Sequence, residues 1–153
     1  MSKRFDGRNV FRRAVLAFGL SIDEAHTATK AGGITLPRFF VKGWLVKSDH
    51  RLYRRDNDLA EQAAVTLFRG LLMAEDMPVS LEIETTGPED LIRIISELVG
   101  YDQAAIHALV ILGAQNMMGG MDPGDLEPRD YLDALLEGLI LHLKHNRKLP
   151  AMP

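Results

Sequence analysis

Cysteine is missing from the chain altogether. That excludes disulfides, thiolate nucleophiles and cysteine-ligated zinc in one step, and it fits a reducing compartment. Long apolar runs are missing too, and none approaches the roughly 20 residues that a helix needs to cross a bilayer. Arg12 and Arg13 precede an apolar stretch at 14–22. That stretch is short, meets Asp23 and Glu24 at once, and offers no small-residue cleavage site, so it does not read as a signal peptide. No membrane partner is expected, and the cytoplasm is the expected location. Catalytic signatures are equally scarce. Ser21, Ser48, Ser80 and Ser96 lack a nucleophile elbow. Gly32-Gly33 and Gly119-Gly120 lack the Lys and Ser/Thr of a phosphate loop. Glu82, Glu84, Glu89 and Asp90 flank a linker and are expected to face water. With no catalytic role filled, an enzyme is not expected.

What the chain does have is charge set unevenly. Residues 1–75 hold 13 Lys and Arg against 8 Asp and Glu, whereas residues 76–153 hold 5 against 13. The overall −3 hides this division. The basic excess concentrates in Lys30, Arg38, Lys42, Lys47, Arg51, Arg54 and Arg55, opposed in that stretch only by Asp49. A domain so polarised presents a cationic face to an anionic partner, or to the acidic half of a second copy.

The apolar periodicity predicts an all-α fold. Val10, Phe11, Ala14, Val15 and Phe18 recur at spacings of three and four, with Asn9 as N-cap and Gly19 as stop. Ser21 and Glu24 form a capping box for a second helix that ends at Gly32-Gly33. Thr35 is expected to cap a third helix, with Pro37 in its first turn and Phe39, Phe40 and Trp44 facing the core. A fourth, capped by Asp56 or Asn57, runs along Leu59, Ala63, Leu67, Phe68 and Leu71. Residues 79–83 alternate apolar and polar, which fits a short strand or an extended linker. A lone strand has no partner within the chain, so the linker is preferred. Helices are expected again at 91–99, 102–112 and 128–145.

The two halves can be laid on each other. A shift of 81 residues matches 10–12 with 91–93, Phe18-Gly19 with Val99-Gly100, His26 with His107, and Gly32 with Gly113. A shift of 68 matches 67–72 with 135–140. The difference, 13 residues, falls on the third helix and its charged sequel, whose counterpart at 116–129 is acidic and rich in Gly and Met. The expected organisation is a basic four-helix unit at 1–76, a linker at 77–88, and a shortened three-helix unit at 89–149. Two amphipathic segments can also align this well by chance.

With these motifs the chain resembles the YehS-like bacterial proteins, which carry a helical domain in two tandem copies. In that family each copy opens on an Asn- and Arg-bearing helix, contains Trp-Leu-x-Lys-x-Asp, and closes on Phe-Leu-x-Gly-Leu-Ile. The matching residues here are 9–12, 44–49, 67–72 and 136–140. The middle of the second copy departs from the pattern. The resemblance implies the duplicated helical fold and no settled activity.

Several sites follow as candidates. Residues 21–31, Gly32-Gly33 and residues 35–46 suggest a helix-turn-helix, with Ala28 and Gly32 at the spacing of its small residues. Arg38 and Lys42 would then face a DNA groove, while Lys30, Lys47, Arg51, Arg54 and Arg55 hold phosphates. The second helix is crowded with aromatics, and the extra Gly and Pro37 fit the motif poorly. Met117, Met118 and Met121 around Gly119-Gly120 form a candidate protein-interaction surface, or a loop that closes the core. His142 with His145, or His26 with His107, lack an acidic partner at ligand spacing, and a helix C-terminus already accounts for the first pair. No metal or cofactor is expected. The resulting expectation is a non-catalytic bacterial DNA-binding or regulatory accessory protein. Its acidic unit would serve dimerisation or a protein partner. The alternative is a protein-binding adaptor with no nucleic-acid role.

Overall fold

The computed structural model describes residues 5–55, 57–77, 86–119 and 122–149. The possible strand at 79–83 lies outside the described residues. The described residues form seven α-helices: α1 (Gly7–Ala17), α2 (Ile22–Ala31), α3 (Arg38–Leu45), α4 (Asn57–Ala74), α5 (Pro88–Val99), α6 (Gln103–Met118) and α7 (Pro128–Leu139). A 3-10 turn at Pro123–Asp125 precedes α7, which continues as a π turn at Ile140–Lys144. The fold is all-α. Among the described residues, no single helix is long and apolar enough to cross a membrane.

Local chemistry sets most boundaries. The Ser21–Glu24 capping box is made: the Glu24 N–H donates to Ser21 Oγ at 3.0 Å, and the Ser21 N–H donates to Glu24 Oε1 at 2.9 Å. These bonds hold the Glu24 carboxyl below its ordinary range. α1 opens earlier than Asn9, because Asp6 takes the cap. Its Oδ1 accepts from the Asn9 N–H at 3.2 Å and its Oδ2 from Asn9 Nδ2 at 2.8 Å. Thr35 caps nothing. The residue before a proline is steered away from the α region, so α3 waits for Arg38, with Pro37 as its extended N-cap. α6 passes Leu112 and Gly113 and stops at Gly119, whose φ of +73° is the left-handed conformation that ends helices.

Gly113 does not stop α6 because it has another task. A Cβ there would lie 1.8 Å from the Ala134 carbonyl oxygen of α7, and one at Gly138 of α7 would lie 1.9 Å from the Leu109 oxygen of α6. The α2–α4 crossing is built alike. A Cβ at Gly32 would lie 1.8 Å from the Thr66 oxygen, and one at Gly70 would lie 1.9 Å from the Ala28 oxygen. Each pair of backbones meets through two reciprocal glycines. α1 packs against α3, α4 and α7, and α5 packs against α4 and α7.

One apolar cluster runs through both halves, from Phe11, Trp44, Leu67 and Phe68 to Ile95, Leu109, Leu132 and Leu135. Phe11 meets Trp44 edge-on at 5.5 Å between centroids, a pairing worth about 1 kcal/mol beyond burial. Trp44 and Leu67 lie in the core as expected, and Phe40 is half-buried. Phe39 does not face the core, for its side chain is 50% exposed. At about 100° per residue, three consecutive apolar residues cannot share one helix face. Val41 and Trp44 take the inward positions of α3, and Phe39 is left outside against the edge of Phe40, 4.9 Å away.

Candidate nucleic-acid interface

The seven cations expected to meet DNA fall on three consecutive segments. Lys30 is exposed in the last turn of α2. Arg38 and Lys42 stand four apart on α3, which sets them on one side of that helix. Lys47, Arg51, Arg54 and Arg55 occupy the connection to α4. That connection is held by its own backbone. The His50 N–H donates to the Lys47 carbonyl, the Tyr53 N–H to the His50 carbonyl, and the Arg54 N–H to the Gly43 carbonyl, each at 3.0 Å. Gly43 is required for the last of these contacts, since a Cβ would lie 2.3 Å from the Leu52 oxygen.

Three of the seven are engaged with neighbours: Arg38, Arg54 and Arg55, the last 5.8 Å from the Tyr53 ring centroid. Arg38 Nε sits 2.6 Å from Asp23 Oδ1. Both side chains are more than half exposed, so the pair is worth at most about 1 kcal/mol. The Arg54 guanidinium lies 3.5 Å from the Phe40 ring centroid, which makes it part of the packing of α3. Lys30, Lys42, Lys47, Arg51 and Arg55 make no ion pair among the described residues. The helix-turn-helix geometry fares less simply. Residues 32–37 separate α2 from α3, where such motifs use a turn of about three or four residues. Ala28 and Gly32, whose spacing suggested the motif, approach Gly70 and Thr66 of α4.

Further cations, not singled out by the sequence, border the same region. Arg8 is fixed: its Nη2 donates to the Val46 carbonyl at 2.6 Å and its guanidinium lies 4.5 Å from the Tyr53 ring centroid. Arg8, Arg12 and Lys47 line a cleft of about 580 Å³ with Asn9, Ser48, Asp49 and Tyr53. A neighbouring cleft of about 560 Å³ shares Arg8, Asn9 and Tyr53 and adds Arg55, Arg129, Asp130 and Asp133. The available signal was the four-residue spacing of Arg8 and Arg12, which places them side by side on α1. Nothing in the sequence brings Arg129 to them.

Behind this second cleft, α1 is tied to α7. Arg13 Nη1 lies 3.6 Å from Asp133 Oδ1 and its Nε 3.5 Å from Glu137 Oε1, with all three side chains under 20% exposed. Asn116 Nδ2 of α6 donates to the other Glu137 oxygen at 2.7 Å. Burial pushes the Asp133 carboxyl up to about 6, against the pull of Arg13 and with a smaller push from Asp6 and Asp130.

The remaining candidates are scattered. Met117 is half-buried in the last turn of α6, Met118 ends that helix, and Met121 lies outside the described residues. Met117 and Met118 are therefore helical, not loop residues. His26 Nε2 is 2.6 Å from the Leu36 oxygen, and His142 Nδ1 is 2.7 Å from the Arg147 oxygen. Among the described residues, no three His, Asp or Glu side chains gather where they would hold a metal ion. Glu82 and Glu84 lie outside the described residues. No protein-family model matches the chain, and no curated protein or solved structure matches it.

Proposed function

We propose that this chain is a non-catalytic bacterial accessory protein of the cytoplasm that binds DNA through the surface of α2, α3 and the α3–α4 connection. The observation that carries this reading is the set of five cations, Lys30, Lys42, Lys47, Arg51 and Arg55, that no acidic side chain of the described residues neutralises. Arg38 can leave an exposed pair at little cost and join them. Exposed Phe39 sits beside Arg38 as an apolar contact. Arg54 braces the helix through Phe40, and any phosphate contact it makes is secondary to that packing.

The same proposal takes the chain as a duplicated, YehS-like protein whose second unit serves dimerisation or a protein partner. Support comes from the glycines: Ala28/Gly32 and Leu109/Gly113 are 81 residues apart, Thr66/Gly70 and Ala134/Gly138 are 68 apart, and both sets make the same reciprocal contacts.

The test is fluorescence anisotropy of a labelled random-sequence duplex at several salt concentrations. Phosphate contacts give a linear fall of log affinity with log salt, at about 0.9 per contact. Charge reversal of Lys30, Lys42 and Arg51 to Glu, which spares the Arg54 packing, is expected to lower affinity and flatten the slope. Absence of binding at low salt refutes the DNA reading, since phosphate attraction needs no specific site. A partner interaction indifferent to salt would then favour the adaptor.

A further inference from the structure

Both clefts beside the basic surface share Arg8, Asn9 and Tyr53, so they lie side by side and together make a trough. Its walls come from the start of α1, the α3–α4 connection and the start of α7. Each cleft, at about 560 and 580 Å³, falls in the ordinary range for ligand sites. That is room for a nucleotide or two, not for a duplex, whose two backbones would ride on the rims. Five cations border the trough: Lys47 and Arg12 at one end, Arg8 in the middle, Arg55 and Arg129 at the other. Four carboxylates lie on the same walls: Asp49, Asp130, Asp6, which caps α1, and Asp133, which faces Arg13. The five cations exceed these by one, and Arg13 against Asp133 adds a sixth positive charge.

The middle of the trough is pre-organised. The Arg8 guanidinium lies over the Tyr53 ring, 4.5 Å from its centroid, and donates at its tip to the Val46 carbonyl, while Arg55 lies 5.8 Å from the same ring. A guanidinium held in place offers a planar surface for a base and N–H donors from which a phosphate accepts, with little ordering left to do. Cations that track a backbone, interrupted by a stacking platform, are how sequence-tolerant proteins hold unpaired strands.

We propose that the trough binds single-stranded nucleic acid, its backbone running from Lys47 and Arg12 past Arg8 to Arg55 and Arg129. This deepens the nucleic-acid reading and adds two things to it. The ligand in the trough is an unpaired strand, and Arg129, from the acidic half, takes part in holding it.

The experiment compares a labelled oligothymidylate of about 12 nucleotides with a labelled duplex on the full chain. Two variants are run: Arg12→Glu/Arg129→Glu, which touches only the trough, and Lys30→Glu/Lys42→Glu/Arg51→Glu, which touches only the outer surface. Far-UV circular dichroism verifies that each is folded, and neither replaces a core side chain. The trough variant is expected to lose at least about tenfold in oligothymidylate affinity while its duplex affinity changes far less. Oligothymidylate binding that survives in the trough variant overturns the proposal. Should duplex binding be absent while single-strand binding stands and depends on Arg12 and Arg129, the outer-surface reading fails and the trough is upheld. If oligothymidylate affinity falls only in the outer-surface variant, the trough fails and the outer surface is upheld.

Discussion

Asp133 keeps its proton to about pH 6, well above an ordinary carboxylate near 3.8. The folded state therefore binds that proton more tightly than the unfolded chain does. Its contribution to stability is complete below about pH 3.8 and is lost as pH rises through about 6. The difference amounts to on the order of 2–3 kcal/mol, since each pKa unit is worth about 1.4. Asp133→Asn keeps the shape and removes the titration. Urea unfolding at pH 5 and pH 7.5 should show the native protein losing about 1–2 kcal/mol that the Asn variant retains. Parallel curves for the two proteins would mean that burial does not hold the proton. The sequence carries no sign of this group. Burial of Asp133 comes from α1 lying across α7, a contact between residues 120 apart in the chain. The Ser21–Glu24 box, by contrast, is legible because both partners sit within one helical turn.

Elements were legible where their signals are local and obscure where a residue has two possible tasks. The start of α2, the end of α1 near Gly19 and the proline-led start of α7 follow from caps and turns. Asp6 and Asn9 are both competent caps, and only the approach of Gly7 to α4, where a Cβ would lie 2.3 Å from the Glu61 nitrogen, shows why the helix opens early. Gly113 reads as a stop and acts as a crossing point. That assignment has a direct test. Gly70→Ala and Gly138→Ala each force a methyl group to within 1.9 Å of a carbonyl oxygen, so the helices must separate. Each substitution should cost about 1–3 kcal/mol or more in urea unfolding. Gly19→Ala, with open space around its Cβ and a φ of +65°, should cost only the left-handed strain of about 1 kcal/mol. Equal losses at Gly19 and Gly70 would deny the close crossing. The basic surface was legible as composition. The trough beside it was not, because its arginines come from α1, the α3–α4 connection and α7.

At the scale of the molecule, the division of charge does not coincide with a division of the core. The apolar cluster passes without a break from α1 and α4 to α5 and α7, and Arg13 ties α1 to α7 in a contact largely closed to water. α1 therefore buries side chains against both halves at once, and its loss from one would expose the other. Such a core predicts one cooperative transition in urea, although the sequence reads as two repeated units. Trp44 is the sole tryptophan and is fully buried in the first half, so its fluorescence reports on that half alone. Far-UV circular dichroism reports on all seven helices. The two probes should give the same midpoint and the same slope. Trp44 fluorescence that shifts at lower urea than the helical signal would show that the basic half opens on its own. The α1–α7 contact would then be a docking of two bodies, and the trough between them would exist only while they are docked.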